Sequence, residues 1–137
     1  MRKHFLRIGA LMGMLAVGLG AFAAHSLKKI ISVEEIATFE IGVRYQFYHA
    51  LALLIVSIFL YIRQTKFAII AGWLFLFGII LFSGSLYLLA FKNVAYQFPT
   101  AIIAPFTPFG GILFIAGWIL LFLSSYQTPE KNHHTKS

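Results

Sequence analysis

The side chains best suited to chemistry in this sequence lie inside or beside long apolar segments. The motif YQFYH occupies residues 45–49, at the start of one such segment, and SGSLY occupies residues 83–87, inside another. Polar groups are costly in hydrocarbon unless they are hydrogen-bonded or serve a function. Each one is therefore a candidate for a ligand site or for bonding between helices. The candidates are His25, Arg44, Gln46, His49, Ser83, Ser85, Tyr87 and Thr107.

Several catalytic and cofactor chemistries fit these residues poorly. A serine hydrolase needs a base and an orienting acid, yet the sequence around Ser83 lacks the G-x-S-x-G motif and no apolar segment contains Asp or Glu. That lack also argues against proton-driven antiport, although a histidine can carry protons. His25 and His49 are an insufficient signature for haem, and their spacing with Glu40 gives no support for zinc. We predict a protein that is not an enzyme and has no cofactor or metal.

The composition indicates a membrane protein. Of the 137 residues, 60% are hydrophobic and 11% are charged, against roughly 25% charged in soluble domains. The net charge of +7 comes from Lys and Arg that are dispersed between apolar segments. A nucleic-acid interface would cluster them on one face, so the expected partner is the lipid bilayer and not nucleic acid.

Four apolar segments approach or exceed the roughly 20 residues that a membrane-spanning helix needs. We place the spans at about residues 5–24, 45–62, 67–91 and 102–125, in one transmembrane domain over residues 1–126. Residues 127–137 form a polar tail. The first span also resembles a cleaved signal peptide, with a basic start and the sequence Ala21-Phe22-Ala23. Its regular stripe of small residues, which suits close helix packing, favours a retained span.

An amphipathic helix is predicted between spans one and two. Ser32 and Glu35 have the spacing of a capping box, and Ile36, Phe39 and Val43 follow at helical intervals. We expect this helix to lie at the membrane interface. The complete fold is then all-α, an integral membrane four-helix bundle with an interfacial helix.

The positions of Lys and Arg predict the orientation. Seven lie on the side of the two termini and four on the opposite side, which favours both termini in the cytoplasm. This topology puts the polar candidates in the outer half of the bundle, His49 near the outer surface and Trp118 toward the cytoplasmic interface. Such residues often bond helices together, and that reading competes with a ligand site.

Small residues mark the expected helix-packing faces. They recur at spacings of three and four in span one, and the sequence IAGW occurs in both span three and span four. Small residues let helix backbones approach closely, so the two IAGW faces are candidates for pairing. The packing positions are Gly9, Gly13, Ala16, Gly20, Gly72 and Gly117.

The chain resembles the small membrane proteins of the domain of unknown function 423 family, which includes transmembrane protein 256. The matching stretches are GAFAAHSL at 20–27, YQFYHALAL at 45–53, FSGSLY at 82–87, TPFGG at 107–111, and Gly117-Trp118. The resemblance implies four retained spans in the bacterial cytoplasmic membrane. It implies no established activity, cofactor or catalytic residue.

Three functions are compatible with these observations. The leading hypothesis is a non-enzymatic accessory or assembly factor that acts through helix contacts with a second copy or another membrane protein. The first alternative is a small oligomeric transporter or pore whose entry site is the outer polar layer. The second alternative is a lipid- or quinone-binding module, suggested by the aromatic content of 17%.

Overall fold

A computed structural model describes residues 1–94 and 99–128, and these residues form a bundle of helices. Four helical segments are long and apolar enough to span a membrane, which confirms the predicted fold class: Arg2–Lys29, Val33–Ile62, Lys66–Ala90 and Thr100–Ser124. The tail beyond residue 128 lies outside the described residues.

The helices are numbered in chain order. Helix α1 covers Arg2–His25 and is followed by a 3₁₀ turn at Leu27–Lys29; α2 covers Val33–Ile62. The third span consists of α3, Lys66–Gly78, a π-helical turn at Ile79–Ser83, and α4, Gly84–Ala90. The fourth consists of the short α5, Thr100–Ile103, and α6, Phe106–Ser124.

The amphipathic segment predicted before span two is continuous with that span. Ser32 is the N-cap of α2, and both capping-box bonds form: Glu35 N donates to Ser32 Oγ at 3.2 Å, and Ser32 N donates to Glu35 Oε2 at 2.9 Å. These bonds satisfy two backbone donors that the helix leaves unpaired at its start. The helix then runs without a break from Val33 to Ile62.

The start of α1 and the end of α6 lie at one end of the bundle, which we call the terminal end. Ser57 Oγ donates to Arg2 O at 2.8 Å, which joins the start of α1 to the last turns of α2. Arg63 donates to Ser125 O and Gln127 O at 3.0 and 2.9 Å, which joins the end of α6 to the same place. The opposite end, with residues 26–32 and 91–94, is called the loop end.

Two apolar clusters hold the helices together. The larger one lies toward the terminal end and includes Phe5, Leu53, Phe75 and Phe114, from α1, α2, α3 and α6. The smaller one lies at the loop end, where Leu27, Ile31, Ile36, Phe39 and Ala90 pack together. The polar candidates are held largely on α2, α4 and α6, in the part of the bundle between these clusters.

Candidate functional site

Gln46 connects three helices through its side-chain amide. Its Nε2 donates to the backbone oxygen of Met12 in α1 at 2.9 Å, and its Oε1 accepts from the hydroxyl of Tyr87 in α4 at 2.7 Å. Gln46 is 4% exposed. The Tyr87 ring reaches it by passing over Gly42, where a Cβ atom would lie 2.8 Å from the ring. A buried amide with both ends bonded is well satisfied and crosslinks α1, α2 and α4.

His49 lies one turn further along α2 and uses both ring nitrogens. Nδ1 is 2.8 Å from Tyr45 O, and Nε2 is 3.2 Å from the indole Nε1 of Trp118 in α6. A carbonyl oxygen can only accept and an indole N–H can only donate. The bonds therefore require the neutral tautomer with hydrogen on Nδ1. The ring also stacks on Phe114, with centroids 3.4 Å apart and planes 6° apart.

A second polar pair joins the third and fourth spans. The hydroxyls of Ser85 and Thr107 are 2.6 Å apart, and Ser85 also donates to Phe82 O at 2.9 Å. Phe82 and Ser83 belong to the π-helical turn. Such turns insert an extra residue and are frequent at functional sites. The Ser83 hydroxyl is fully buried and has no hydrogen-bond partner among the described residues.

The polar candidates lie deeper in the bundle than the sequence predicted. Gln46 bonds to Met12, which lies midway along α1, and His49 lies midway along α2. The bond from Trp118 to His49 places both side chains at the same depth. The prediction that His49 and Trp118 lie near opposite membrane surfaces is therefore wrong. The cluster of Gln46, His49, Tyr87 and Trp118 is therefore central, and we call it the central polar cluster.

Two of the predicted candidates lie apart from both this cluster and the pair of Ser85 and Thr107. His25 is exposed near the loop end, and its Nδ1 is 3.0 Å from the backbone oxygen of Ala21 in its own helix. Arg44 is exposed beside a shallow groove between α1 and α2. Among the described residues, no group of three or more His, Cys, Asp or Glu side chains is arranged to hold a metal.

The small residues of span one lie against α2. A Cβ atom at Gly9 would be 2.9 Å from Leu54 Cδ2, and one at Gly20 would be 3.4 Å from Val43 Cγ1. A Cβ atom at Gly13 would be 3.9 Å from Ala50 Cβ, and Ala16 is 1% exposed. These positions allow α1 and α2 to pack closely along most of their length.

The two glycines of the IAGW sequences have different partners. A Cβ atom at Gly72 would lie 2.6 Å from the ring of Phe5 in α1. One at Gly117 would lie 2.7 Å from the ring of Phe75 in α3. Each glycine thus makes room for an aromatic ring of another helix.

Several residues of the site were missed by the sequence reading. Trp118 was assigned to the interface, although it supplies the donor to His49. Gly42 and Gly78 accommodate the rings of Tyr87 and Phe114, and Gly110 lies against the backbone of Phe82. Small residues inside apolar spans indicate where helices pack closely. Their spacing does not indicate which aromatic ring occupies the space beside each one.

The polar groups of the central polar cluster are hydrogen-bonded within the chain. A histidine serves as a metal ligand or proton carrier through a ring nitrogen that is available to the ligand or proton. Both nitrogens of His49 are engaged in bonds within the chain. The amide of Gln46 and the hydroxyls of Tyr87, Ser85 and Thr107 are likewise bonded to protein groups. The geometry suits adhesion between helices.

Comparison with known proteins identifies the family. The family model described as "Protein of unknown function (DUF423)" matches residues 19–111. The chain belongs to the DUF423 family. The matched region includes the central polar cluster residues Gln46, His49 and Tyr87, while Trp118 lies beyond it. No solved structure is significantly similar to the chain.

Bacterial relatives of this protein are similar to it over nearly their full lengths. A UPF0382 membrane protein of Staphylococcus saprophyticus is 42% identical over 127 residues, which cover 91% of this chain and 98% of the relative. A UPF0382 membrane protein of Haemophilus influenzae is 40% identical, with 95% and 99% covered. One of Bacillus subtilis is 40% identical, with 90% and 96% covered. Together with the four spans, these names identify a multi-pass membrane protein.

Proposed function

We propose that this protein is a non-enzymatic accessory or assembly factor that acts through contacts between its helices and those of a membrane partner. The observation that carries the proposal is the bonding of the polar side chains within its spans. Gln46, His49, Ser85, Tyr87 and Thr107 bond to groups of the same chain. They stabilise the bundle and leave its outer faces as the surfaces that meet other molecules.

The outer face of α1 is the best candidate for a contact with a partner helix. This helix packs mainly on α2, and its apolar region is 17% buried. Its exposed residues include Ala10, Met14, Gly18 and Ala21. A Cβ atom at Gly18 would have no neighbour within 4 Å. Small side chains on an open helix face permit close approach by another helix in lipid.

The transporter alternative is less well supported. It requires an outer layer of polar groups available to a substrate, whereas Gln46, His49, Ser85, Tyr87 and Thr107 are bonded within the chain and the Ser83 hydroxyl is fully buried. The groove beside Ser85 and Tyr87 is lined otherwise by apolar side chains, including Leu81, Leu88 and Phe106. Liposome flux that depends on His49 and Ser83, measured with His49→Ala and Ser83→Ala, would revive this alternative.

Site-specific crosslinking in native membranes tests the proposal. A photoreactive amino acid at Val17, which is 63% exposed on α1, should yield an adduct of defined mass. The same group at Leu53, which is fully buried, is the control and should yield no intermolecular adduct. Gly18→Leu should abolish the Val17 adduct. Strictly monomeric protein in mild detergent, combined with no adduct from Val17, would refute the proposal.

We also propose that both termini lie in the cytoplasm. Among the described residues, Arg2, Lys3, Arg7, Arg63 and Lys66 lie toward the terminal end. Lys28, Lys29, Arg44 and Lys92 lie toward the loop end. The excess of positive residues at the terminal end supports a cytoplasmic location under the positive-inside rule.

A further inference from the structure

A polar cavity opens at the loop end, between the start of α2, the end of α4 and the start of α5. Its volume is about 530 Å³, within the range that accommodates small ligands. Acidic, basic and neutral polar side chains line it, including Glu34, Glu35, Thr38, Lys92 and Asn93. The cavity is separate from the central polar cluster and plays no part in the proposed helix contacts.

Glu35 supplies the unusual feature of this cavity. Its side chain is 4% exposed, and its Oε2 accepts from Ser32 N, while its buried Oε1 has no partner in hydrogen-bond geometry among the described residues. The Ser32 N–H bond lowers the pKa of this carboxyl against the opposing effect of burial, and hydrogen bonds from Asn93 make a smaller contribution in the same direction as Ser32. Glu35 is therefore ionised at neutral pH. Burial of this charged carboxylate is costly, and a cation in the cavity would offset that cost.

A separate apolar groove of about 490 Å³ lies farther from the loop end. Leu89 and Thr100 line the cavity, and Leu88 and Ile103 line the groove. Adjacent residues of α4 and α5 thus border the two spaces, which together we call the cleft; the polar space lies nearer the loop end. Ile103 is one helical turn deeper than Thr100. A polar space above an apolar groove matches the shape of a membrane lipid.

We propose that this cleft binds a phospholipid with an ethanolamine headgroup. The primary ammonium pairs with the Glu35 carboxylate, with Glu34 beside it, and Lys92 pairs with the phosphate. One acyl chain lies in the groove beneath. A choline headgroup has no N–H to donate to Glu35, and a glycerol headgroup has no positive charge, so neither satisfies the carboxylate as well.

Native mass spectrometry of the protein from nanodiscs of defined lipid tests the headgroup assignment. Phosphatidylethanolamine should remain bound in preference to phosphatidylcholine and phosphatidylglycerol. Glu35→Gln keeps the shape of the side chain but removes its charge, and it should reduce that preference by about tenfold, the scale of one charge-assisted bond. Glu40→Gln is the matched control, because Glu40 is exposed on the same helix and does not line the cavity.

A second pair of variants tests the groove independently of Glu35. A Cβ atom at Gly84, which lines the groove, would have no neighbour within 4 Å. Gly84→Leu should fill the groove and lower retention of phosphatidylethanolamine, whereas Gly18→Leu, at an equally open position on α1, should not. If Glu35→Gln fails to fold, the wild-type protein and the two glycine variants still provide this comparison.

Three results would overturn the proposal. The first is equal retention of phosphatidylethanolamine and phosphatidylcholine by the wild-type protein. The second is an unchanged headgroup preference in Glu35→Gln. The third is full displacement of the lipid by soluble phosphoethanolamine at equal concentration, since the site would then recognise a soluble amine and the groove would contribute nothing. Retained ethanolamine lipid with no Val17 crosslink would support the lipid site while contradicting the proposed helix contacts.

Discussion

Replacing Gln46 tests whether the central polar cluster stabilises the bundle. Gln46→Leu removes the bond to Met12 O and the bond from Tyr87 OH, and it leaves the Tyr87 hydroxyl without its acceptor. Hydrogen bonds between membrane helices contribute about 0.6 kcal/mol each. An unpaired buried hydroxyl costs about 1–3 kcal/mol more. We therefore expect Gln46→Leu to lower the free energy of unfolding by about 2–4 kcal/mol.

The double variant Gln46→Leu with Tyr87→Phe identifies the cause of that loss. Tyr87→Phe removes the hydroxyl, so nothing is left unpaired in the double variant, which should be no less stable than Gln46→Leu alone. The wild type, the two single variants and the double variant form a double-mutant cycle. It should give a coupling energy of about 1 kcal/mol, well above the 0.3–0.5 kcal/mol within which the effects of independent sites add. Reversible unfolding in mild detergent measures all four proteins. Additive effects, or a Gln46→Leu variant as stable as the wild type, would refute the reasoning.

Three further predictions concern packing, capping and topology. Gly9→Leu should lower the thermal unfolding temperature in detergent, because its Cβ would lie 2.9 Å from Leu54 Cδ2, whereas Gly18→Leu, which meets open space, should not. Because the pKa of Glu35 is lowered in the folded chain, its stabilisation is present above the ordinary value of 4.5 and is lost as the pH falls through the lowered value. Glu35→Gln should therefore flatten the loss of stability below pH 4.5 in acid titrations, and a profile identical to the wild type would contradict the capping role. Reporter fusions at both termini should show a cytoplasmic location, and activity of a periplasmic reporter at either would reverse the orientation.

The number of spans and the cap of α2 could be predicted from local sequence. Membrane-spanning length and the absence of charge follow from composition alone. The bonds between Ser32 and Glu35 depend on a spacing of three residues, which a sequence displays directly. Both are properties of short continuous segments, so neither required knowledge of how the helices pack.

The depth of His49 could not be predicted in the same way. Hydropathy indicates where a charged segment gives way to an apolar one. It predicts that span two starts at about residue 45, which would put His49 near a membrane surface. The helix begins at Val33, so His49 lies midway along it. The bond from Trp118 holds His49 against α6 at that depth. Depth in a bundle depends on the register between helices, which hydropathy does not encode.

The partners of the small residues and the π-helical turn also required the structure. The IAGW sequences are locally alike, yet Gly72 accommodates Phe5 and Gly117 accommodates Phe75. Helix rotation decides which ring faces which gap, and local similarity carries no information about rotation. The π-helical turn at Ile79–Ser83 changes that rotation within span three, so residues on its two sides cannot be assigned to one face by a uniform helical period.

Nitrogen-15 NMR of His49 in nanodiscs tests the central claim most directly, namely that the polar groups inside the spans bond to one another. The account predicts one neutral tautomer with hydrogen on Nδ1 and a coupling between His49 Nε2 and the Trp118 indole N–H. Trp118→Phe should remove that coupling and change the Nε2 shift. A protonated Nε2, or a ring that exchanges freely with water in the wild-type protein, would contradict a closed cluster and favour an open polar site.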